Sequence, residues 1–231
     1  IFGILFALSQ KDIKRLLAYS SVENIGIITI GIGIGLVGIH YSLPYLIVGG
    51  FTGALLHIIN HTFLKGILFL SAGAVYHATG TRNMERLGGL NKTMPFITGF
   101  VLLGSLAISG LPPLNGFISE FFIYFAAVKS IMNPLQVTDN VGVAVMFVLA
   151  CVGGLAVVCF CRFFGIVFLG EQRDSSVKVE KVNWVMNVSI GVLVVLCILI
   201  SVGSAYLLPL LQGPLVSISG VGAEEISPVL T

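Results

Sequence analysis

Three ionisable side chains follow one another at intervals of four residues inside an apolar segment of this sequence. They are His57, His61 and Lys65, and the segment covers 54–74. On an α-helix this spacing places all three side chains on one face, with only a slow drift around the axis. A charged side chain at the centre of a bilayer costs roughly 2.5–3.5 kcal/mol on insertion scales. The stripe therefore predicts a hydrated path for protons or ions.

Lys65 is the residue that this pattern singles out most strongly. About ten apolar residues flank it on either side, so its ammonium group lies too deep to reach a membrane interface comfortably. Because burial makes the charge costly, a lysine in this setting can both take up and release a proton. The alternative is a permanent ion pair with a buried acid, which has only a structural role.

His61 and His57 extend the stripe by one and two turns from Lys65. Histidine changes its charge near neutral pH, which suits proton transfer along a water chain. A pair at i and i+4 can also bind a metal ion, but no nearby carboxylate or thiolate completes a zinc site, so we predict none. Each histidine can instead be a hydrogen-bonded core residue. Asn60 and Thr62 are expected to hold water beside the histidines.

Two acids in other apolar segments are candidates for the same path. Glu120 lies about one turn beyond an interrupted segment and is expected to release protons at the outer end. Glu23 lies in the run 20–24, where serines and an amide can stabilise a charge. A direct role of Glu23 in proton transfer and a structural pairing with Lys65 or another buried base are both open.

The segment before Glu120 cannot form a regular helix. Pro112 and Pro113 remove two successive helical donors, and glycines that include Gly110 flank them. Broken backbone at membrane depth persists only where protein buries it or water lines it, and transporters use such breaks to build sites near the midplane. We predict one discontinuous helix over 96–128 whose break belongs to the site. A simple proline kink packed in protein is the alternative.

The composition is that of an all-α integral membrane protein. Hydrophobic residues make up 56% of the 231 residues and charged residues 10%, whereas soluble domains carry about 25% charged residues. Residues 1–9 form about half a crossing, which we interpret as the end of a truncated helix in a fragment. A net charge of +2 gives no reason to expect nucleic acid as a partner, and the lipid bilayer is the expected surrounding. Apolar windows of about 20 residues predict five full crossings, at 13–39, 47–77, 96–128, 141–169 and 184–211.

The basic residues predict the orientation. The connecting segments alternate between two sides, and the side with the basic excess is expected to be cytoplasmic. The other side holds Lys129 with Asp139, Glu224, Glu225 and the C-terminal tail. The basic side holds Lys11, Lys14, Arg15, Arg82, Arg86, Lys92, Arg162, Arg173, Lys178 and Lys181.

The sequence lacks the catalytic and cofactor-binding motifs of soluble enzymes. It contains no glycine-rich phosphate loop, no nucleophile elbow and no haem-attachment or iron–sulfur cysteine cluster. The cysteines at 151, 159, 161 and 197 lie in apolar runs without Cys-x-x-Cys spacing, and we interpret them as apolar filler. We therefore expect no cofactor in this chain. Gly31, Gly33 and Gly35 predict close helix packing.

Three stretches together resemble the antiporter-like, proton-conducting membrane subunits of respiratory complex I and its relatives. They read KDIKRLLAYSSV over 11–22, HIINHTFLK over 57–65 and GLPPLNGFISE over 110–120. The resemblance covers residues 1–170 and implies the second half of the core helix bundle of that family, with its broken helix. Residues 171–231 are then expected to form a cytoplasmic loop, a last transmembrane helix and an outward-facing tail.

The resemblance also implies roles for individual residues. Lys65 matches the central proton-handling lysine, His57 and His61 hydrate and extend the path, and Glu120 matches the terminal ionisable position. The runs SSVENIG over 20–26 and AVYHATGTR over 74–82 are most similar to the branch found in formate hydrogenlyase and hydrogenase-4 complexes.

The implied function is that of a non-catalytic, proton-translocating membrane subunit in a redox-driven complex of the hydrogenase or NADH dehydrogenase type. Its implied partners are other membrane subunits and a peripheral redox arm, with [NiFe] and iron–sulfur centres in those partners. The implied location is the bacterial or archaeal cytoplasmic membrane. The alternatives are a subunit of a multisubunit Na⁺/H⁺ antiporter without a redox partner, and a non-conducting scaffold that anchors a hydrogenase.

Overall fold

The described part of the chain consists of helices joined by short loops. A computed structural model describes residues 1–132, 136–222, 224 and 226, and Glu225 of the predicted tail lies outside these residues. Within them, four helices are long and apolar enough to cross a membrane, which confirms the predicted all-α membrane class, and they cover Ile13–His40, Pro44–Thr79, Asp139–Phe168 and Trp184–Val202. The helices are α1 (Phe2–Ser9), α2 (Ile13–His40), α3 (Pro44–Thr79), α4 (Pro95–Ile108), α5 (Asn115–Ile131), α6 (Gln136–Phe168), α7 (Trp184–Val202), α8 (Ser204–Leu207) and α9 (Gln212–Ser219).

The ends of the two central helices follow from local chemistry. The Asp12 carboxylate caps α2 by accepting hydrogen bonds from the backbone N–H groups of Lys14 and Arg15. Pro44 begins α3, where its missing N–H costs nothing, and Gly80 ends it in the left-handed conformation at φ +67°. The resulting antiparallel pair places the Glu23 region of α2 beside the Lys65 region of α3.

The third crossing is discontinuous, as predicted. Helix α4 has 14 residues and α5 has 17, so at 1.5 Å per residue each is about 21–26 Å long, short of a hydrocarbon core of about 30 Å. Gly110 turns the chain between them at φ +67°. Pro112 and Pro113 lie in the connecting turn and are exposed on this chain. The interruption therefore separates two half-helices rather than bending one.

The predicted end of the fifth crossing was wrong. We expected a continuous helix over 184–211, but α7 ends at Val202. The Gly203 N–H closes the last turn on the Leu199 carbonyl at 2.7 Å. Two short helical turns follow, the second of them with Pro209 near its start. Glycine favours the end of a helix, which explains the stop after Val202, and Pro209 has no N–H with which to extend the turns that follow.

Glycines bring α2 and α3 into close contact. A Cβ atom added at Gly50 would lie 2.6 Å from the Gly31 carbonyl oxygen and 2.6 Å from the Gly35 nitrogen. A Cβ atom at Gly35 would lie 2.7 Å from the Phe51 ring. Gly33, which we expected at the same contact, has open space around its Cα. Gly31 and Gly35 therefore form the predicted packing face, and Gly33 does not.

This contact predicts how a substitution at Gly50 changes the stability of the protein. We expect Gly50→Ala to lower the free energy of unfolding by about 1–3 kcal/mol, because the added methyl group meets backbone atoms that cannot move aside. Thermal unfolding of the purified protein in detergent measures the effect. Gly33→Ala is the matched control and should leave stability unchanged or slightly raised. Equal stability losses in both variants would contradict the packing described here.

The basic segments gather at one end of the bundle. The Met84 N–H donates to the Lys11 carbonyl at 2.8 Å, and the Ile13 N–H donates to the Arg82 carbonyl at 3.0 Å. Arg173 donates to the carbonyls of Leu87 and Ile166. The ion pairs within 4.0 Å among the described residues all lie here, and they are Lys11–Glu85, Arg82–Asp12 and Arg86–Asp174.

Asp174 organises the loop between α6 and α7. Hydrogen bonds from the Ser176 side chain and from Arg86 lower the pKa of Asp174 from 3.8 to about 2. A lowered pKa means that the folded loop favours the carboxylate. Its contribution to stability is therefore present above pH 3.8 and is lost as the pH falls through about 2.

We expect Asp174→Asn to loosen this loop at neutral pH, since the amide cannot replace the charged acceptor for Arg86. Hydrogen exchange of the backbone over 172–177 should become faster, while the helices keep their protection. Glu171→Gln removes one negative charge from the same loop and serves as the control. Identical exchange in both variants would show that the Asp174 contacts do not order the loop.

Candidate functional site

Helices α2, α3 and α5 enclose the predicted ionisable residues in the interior of the bundle. Lys65, His57, Glu23 and Glu120 are all buried, with Lys65 8% exposed. His61 is half-buried on the same face of α3. The structure therefore brings together residues from three segments that are far apart in the sequence.

Neutral oxygen atoms hold the Lys65 ammonium group. Its Nζ donates to the Leu17 carbonyl oxygen at 2.9 Å and to the Ser20 hydroxyl at 2.5 Å. The Ser20 hydroxyl donates in turn to the Leu17 carbonyl at 3.0 Å. A carbonyl and a hydroxyl solvate the ammonium form, but neither carries a compensating charge.

Glu23 lies near Lys65 without forming an ion pair with it. The ion pairs found among the described residues are all in the loops, so no carboxylate lies within 4.0 Å of Nζ. Glu23 Oε2 accepts a hydrogen bond from Asn24 Nδ2 at 3.3 Å. Helix α1 covers this position, since a Cβ atom at Gly3 would lie 2.6 Å from the Glu23 nitrogen. A direct structural ion pair between Lys65 and Glu23 is therefore not present.

His57 bridges α2 and α5. Its Nε2 lies 3.0 Å from Asn24 Oδ1, and its Nδ1 lies 3.0 Å from Ser119 Oγ. The ring is also nearly parallel to that of His61, with a centroid separation of 6.4 Å and an interplanar angle of 12°. Both ring nitrogens of His57 thus have polar partners on neighbouring helices.

A pair of asparagines fastens the start of α5 to α3. Asn60 Nδ2 donates to the Asn115 carbonyl at 2.7 Å and to Ser119 Oγ at 3.3 Å. Asn115 Nδ2 donates back to Asn60 Oδ1 at 3.3 Å. Sequence reasoning missed Asn115 and Ser119 as parts of the site. Their spacing of four residues just after the break, on the face next to Glu120, was the available signal.

Unpaired buried polar atoms mark the same region. His61 Nε2 and Asn115 Oδ1 are buried and have no hydrogen-bond partner among the residues that the structure describes. Buried polar atoms in this position normally bind ordered water. Thr62, which we expected to hold water, instead donates to the Ile58 carbonyl on the exposed side of α3. We therefore expect water at His61 and Asn115 and not at Thr62, while the Asn60 amide is hydrogen-bonded to α5.

Glu120 lies against the break between the two half-helices. A Cβ atom at Gly110 would be 2.7 Å from Glu120 Oε2, so the carboxyl group lies directly on the glycine Cα. Glu120 follows Ser119 on α5 and is therefore one residue away from the His57 partner. Gly110 shapes the pocket for this acid, whereas Pro112 and Pro113 are exposed farther along the turn.

No metal-ligand set forms in the part of the chain that the structure describes, since no three His, Cys, Asp or Glu side chains come together there. The four cysteines are free. Proton transfer through titratable side chains and water is the chemistry that this arrangement supports.

Known proteins share both the sequence and the fold. The family described as NADH:quinone oxidoreductase/Mrp antiporter, transmembrane, matches residues 1–147. Hydrogenase-4 component B of Escherichia coli (strain K12) is 42% identical over 210 residues, which are 90% of this chain and 31% of that protein. Formate hydrogenlyase subunit 3 of the same organism is 41% identical over 211 residues, covering 91% of this chain and 35% of that protein. The chain thus spans about a third of the length of these two relatives.

A solved structure supports the same assignment. A chain of the membrane-bound sulfane sulfur reductase, an archaeal respiratory membrane complex, is 30% identical and superposes with a TM-score of 0.70. The match covers 87% of this chain and 30% of that chain. The family resemblance found in the sequence is confirmed, and the chain belongs to the NADH:quinone oxidoreductase/Mrp antiporter transmembrane family.

Proposed function

We propose that this chain is part of a proton-translocating membrane subunit in a redox-driven complex of the hydrogenase, formate hydrogenlyase or NADH dehydrogenase type. The observation that carries the proposal is the setting of Lys65. A lysine held only by neutral oxygens at membrane depth has no opposite charge to offset its own, so a structural role alone gives no reason to keep it. A group that alternates between charged and neutral forms fits this setting.

The proton path in this proposal uses Lys65 as its central station. Protons pass between Lys65 and Glu120 over His61 and water, with His57 as a further protonatable site and Glu23 as a nearby acid that modulates the lysine. The polar atoms of His61 and Asn115 that lack partners within the described part of the chain are suitable places for the water that connects these side chains. Each change of charge alters the protonation of its neighbours, which links distant steps of the path.

The redox chemistry belongs to partner subunits in this proposal. Other membrane subunits and a peripheral arm hold the [NiFe] and iron–sulfur centres, and this chain contributes no redox centre. The names of the two Escherichia coli relatives support an assembly of the hydrogenase type. The basic end of the bundle faces the cytoplasm of a bacterium or archaeon, in agreement with the positive-inside rule.

Vesicles made from native membranes test the proposal. The complete protein is expressed with its partner subunits, and a pH-sensitive dye follows proton movement after formate or hydrogen is added. We expect acidification or alkalinisation that starts with the electron donor and that a protonophore abolishes. Gentle purification on a tag should recover hydrogenase and iron–sulfur subunits. Proton movement that needs Na⁺ and no electron donor would overturn redox coupling.

That last outcome would support a second candidate, a subunit of a multisubunit Na⁺/H⁺ antiporter. The family description names Mrp antiporters beside NADH:quinone oxidoreductases, and this specific observation favours it. The same buried residues would then exchange protons for sodium without a redox partner. Co-purification of small membrane subunits alone would point the same way.

A further inference from the structure

His57 is a protonatable residue whose two ring nitrogens face chemically different groups. Nε2 faces an amide oxygen of α2, and Nδ1 faces a hydroxyl group of α5. The other ionisable groups near it are His61 and Lys65 on α3, Glu23 beside Asn24 on α2, and Glu120 beside Ser119 on α5. The hydrogen bonds of the two neutral partners determine what His57 can do.

The Asn24 amide can point only one way. Its Nδ2 donates to the Ser20 carbonyl oxygen at 2.7 Å and to Glu23 Oε2 at 3.3 Å. A backbone carbonyl oxygen is an obligatory acceptor, so a reversed amide would place two oxygens in contact. Asn24 Oδ1 must therefore face His57 Nε2, and Nε2 must carry the hydrogen that this oxygen accepts.

The Ser119 hydroxyl group has one proton and two acceptors within reach. Its oxygen accepts from Asn60 Nδ2, whose orientation is fixed by the Asn115 carbonyl. Its proton can go to His57 Nδ1 at 3.0 Å or to the Gly116 carbonyl at 2.9 Å. With neutral His57 the hydroxyl donates to Nδ1. With protonated His57, Nδ1–H donates to the hydroxyl, and the serine proton turns to Gly116.

We propose that Asn24 and Ser119 are positioning residues that hold neutral His57 as its Nε2–H tautomer and confine its uptake and release of a proton to Nδ1, the nitrogen that faces Ser119 on α5. An amide oxygen is far too weak a base to take the Nε2 proton, so the exchange toward α2 is closed. The hydroxyl of Ser119 donates to neutral Nδ1 or accepts from Nδ1–H without moving its oxygen, so it accommodates both protonation states of His57 while it keeps its own proton. His57 then takes up and releases a proton at Nδ1 alone, and it does not pass protons through from α2 to α5.

This inference rests on the proposed function, since it concerns a residue of the proposed path. The hydrogen-bond arrangement around His57 can nevertheless be measured without any translocation assay. Solid-state nitrogen NMR of the histidine-labelled, complete protein in lipid distinguishes the Nε2–H from the Nδ1–H tautomer of a neutral imidazole. The difference spectrum against His57→Gln assigns the signal to His57.

We expect His57 of the unaltered protein to be the Nε2–H tautomer when it is neutral. Asn24→Leu keeps the size of the side chain but removes the acceptor, and it should shift the tautomer ratio toward Nδ1–H by about five- to tenfold. Thr29→Val removes a hydroxyl group from the exposed side of the same helix and should change nothing. A dominant Nδ1–H tautomer in the unaltered protein would overturn the proposal, even if Asn24→Leu fails to fold. An unchanged ratio in a folded Asn24→Leu variant would overturn it as well.

The role of Ser119 is tested by a conservative pair of variants. Ser119→Thr retains the hydroxyl group and should retain both the tautomer and most of the proton translocation. Ser119→Ala should leave the Nε2–H tautomer in place but slow translocation, because Nδ1 loses its donor. If both serine variants translocate equally well, Ser119 is not a positioning residue for His57. A third outcome is that His57 has the expected tautomer but neither the unaltered protein nor any variant moves protons. In that case the hydrogen-bond inference stands and the proposed function fails.

Discussion

Lys65→Ala is expected to abolish proton translocation by the assembled complex. Proton transfer by a positioned side chain typically accelerates a step by about 10²–10⁴-fold, so we expect the rate to fall by about a hundredfold or more. The physical reason is that no group at this position can take up and release a proton once the ammonium is gone. The Leu17 carbonyl and the Ser20 hydroxyl, which bind it, are not titratable. The dye assay in vesicles with an electron donor measures the loss.

Two further lysine variants separate charge from packing. Lys65→Met keeps most of the buried alkyl chain and should be as inactive as Lys65→Ala. Lys129→Ala removes a lysine that lies over the rings of Tyr45 and Phe125 at 5.3 and 5.6 Å, outside the site, and should retain activity. Subunit recovery must be equal in all variants. Undiminished translocation in an assembled Lys65→Ala complex would falsify the proposed role of Lys65.

The helical framework could be predicted because its signals are local. The long apolar runs predicted α2 and α3 with boundaries close to those observed. Pro112 and Pro113 predicted the interruption between α4 and α5. Helix length, capping groups and missing backbone donors depend on neighbouring residues alone. The same reasoning failed at the end of α7, where we gave too little weight to Gly203 as a stop signal.

Two errors have one geometric cause. Gly33 lies two residues from both Gly31 and Gly35, and Thr62 lies two residues from Asn60. Two residues correspond to about 200° around an α-helix, so Gly33 lies on the opposite face from Gly31 and Gly35, and Thr62 lies on the opposite face from Asn60. A stricter use of the helical period would have removed both residues from the predicted faces.

The partners of the ionisable residues could not be predicted from the sequence. Lys65 is held by Leu17 and Ser20, which are 48 and 45 residues earlier in the chain. His57 contacts Ser119, which is 62 residues later. Such pairings depend on how far the helices slide and rotate against each other, and the close glycine contact of α2 with α3 sets that register. The sequence indicated which side chains carry charge, and the packing determines what solvates them.

The solvation of Lys65 bears on the stepwise proton movement that we propose. An ion pair with a fixed carboxylate would hold the lysine in its charged form permanently. Neutral oxygens stabilise the ammonium less, so a change of charge at Glu23 or at His61 shifts its protonation more readily. Weak solvation and nearby ionisable groups together make the lysine responsive to events elsewhere in the path.

Gly110→Ala is expected to impair translocation by displacing Glu120. A Cβ atom at this position would lie 2.7 Å from Glu120 Oε2 and 3.1 Å from its carboxyl carbon, so the acid must move. The left-handed conformation at φ +67° adds about 1–2 kcal/mol of strain for a residue with a side chain. Misplacement of a reacting group by about 1 Å can cost up to about a hundredfold, and we expect a loss of about ten- to a hundredfold in the vesicle assay.

A double-mutant cycle distinguishes displacement of Glu120 from damage to the fold. If Gly110→Ala acts through the acid, it has no further effect on translocation once Glu120→Ala has removed that acid. Gly99→Ala is the matched control, because Gly99 lies in α4 with open space around its Cα, and it should translocate normally. Additive losses from Gly110→Ala and Glu120→Ala would mean that the glycine serves the turn between the half-helices and not the position of the carboxyl group. A cycle in which the glycine effect vanishes would place Glu120, held against the break by Gly110, on the proton path.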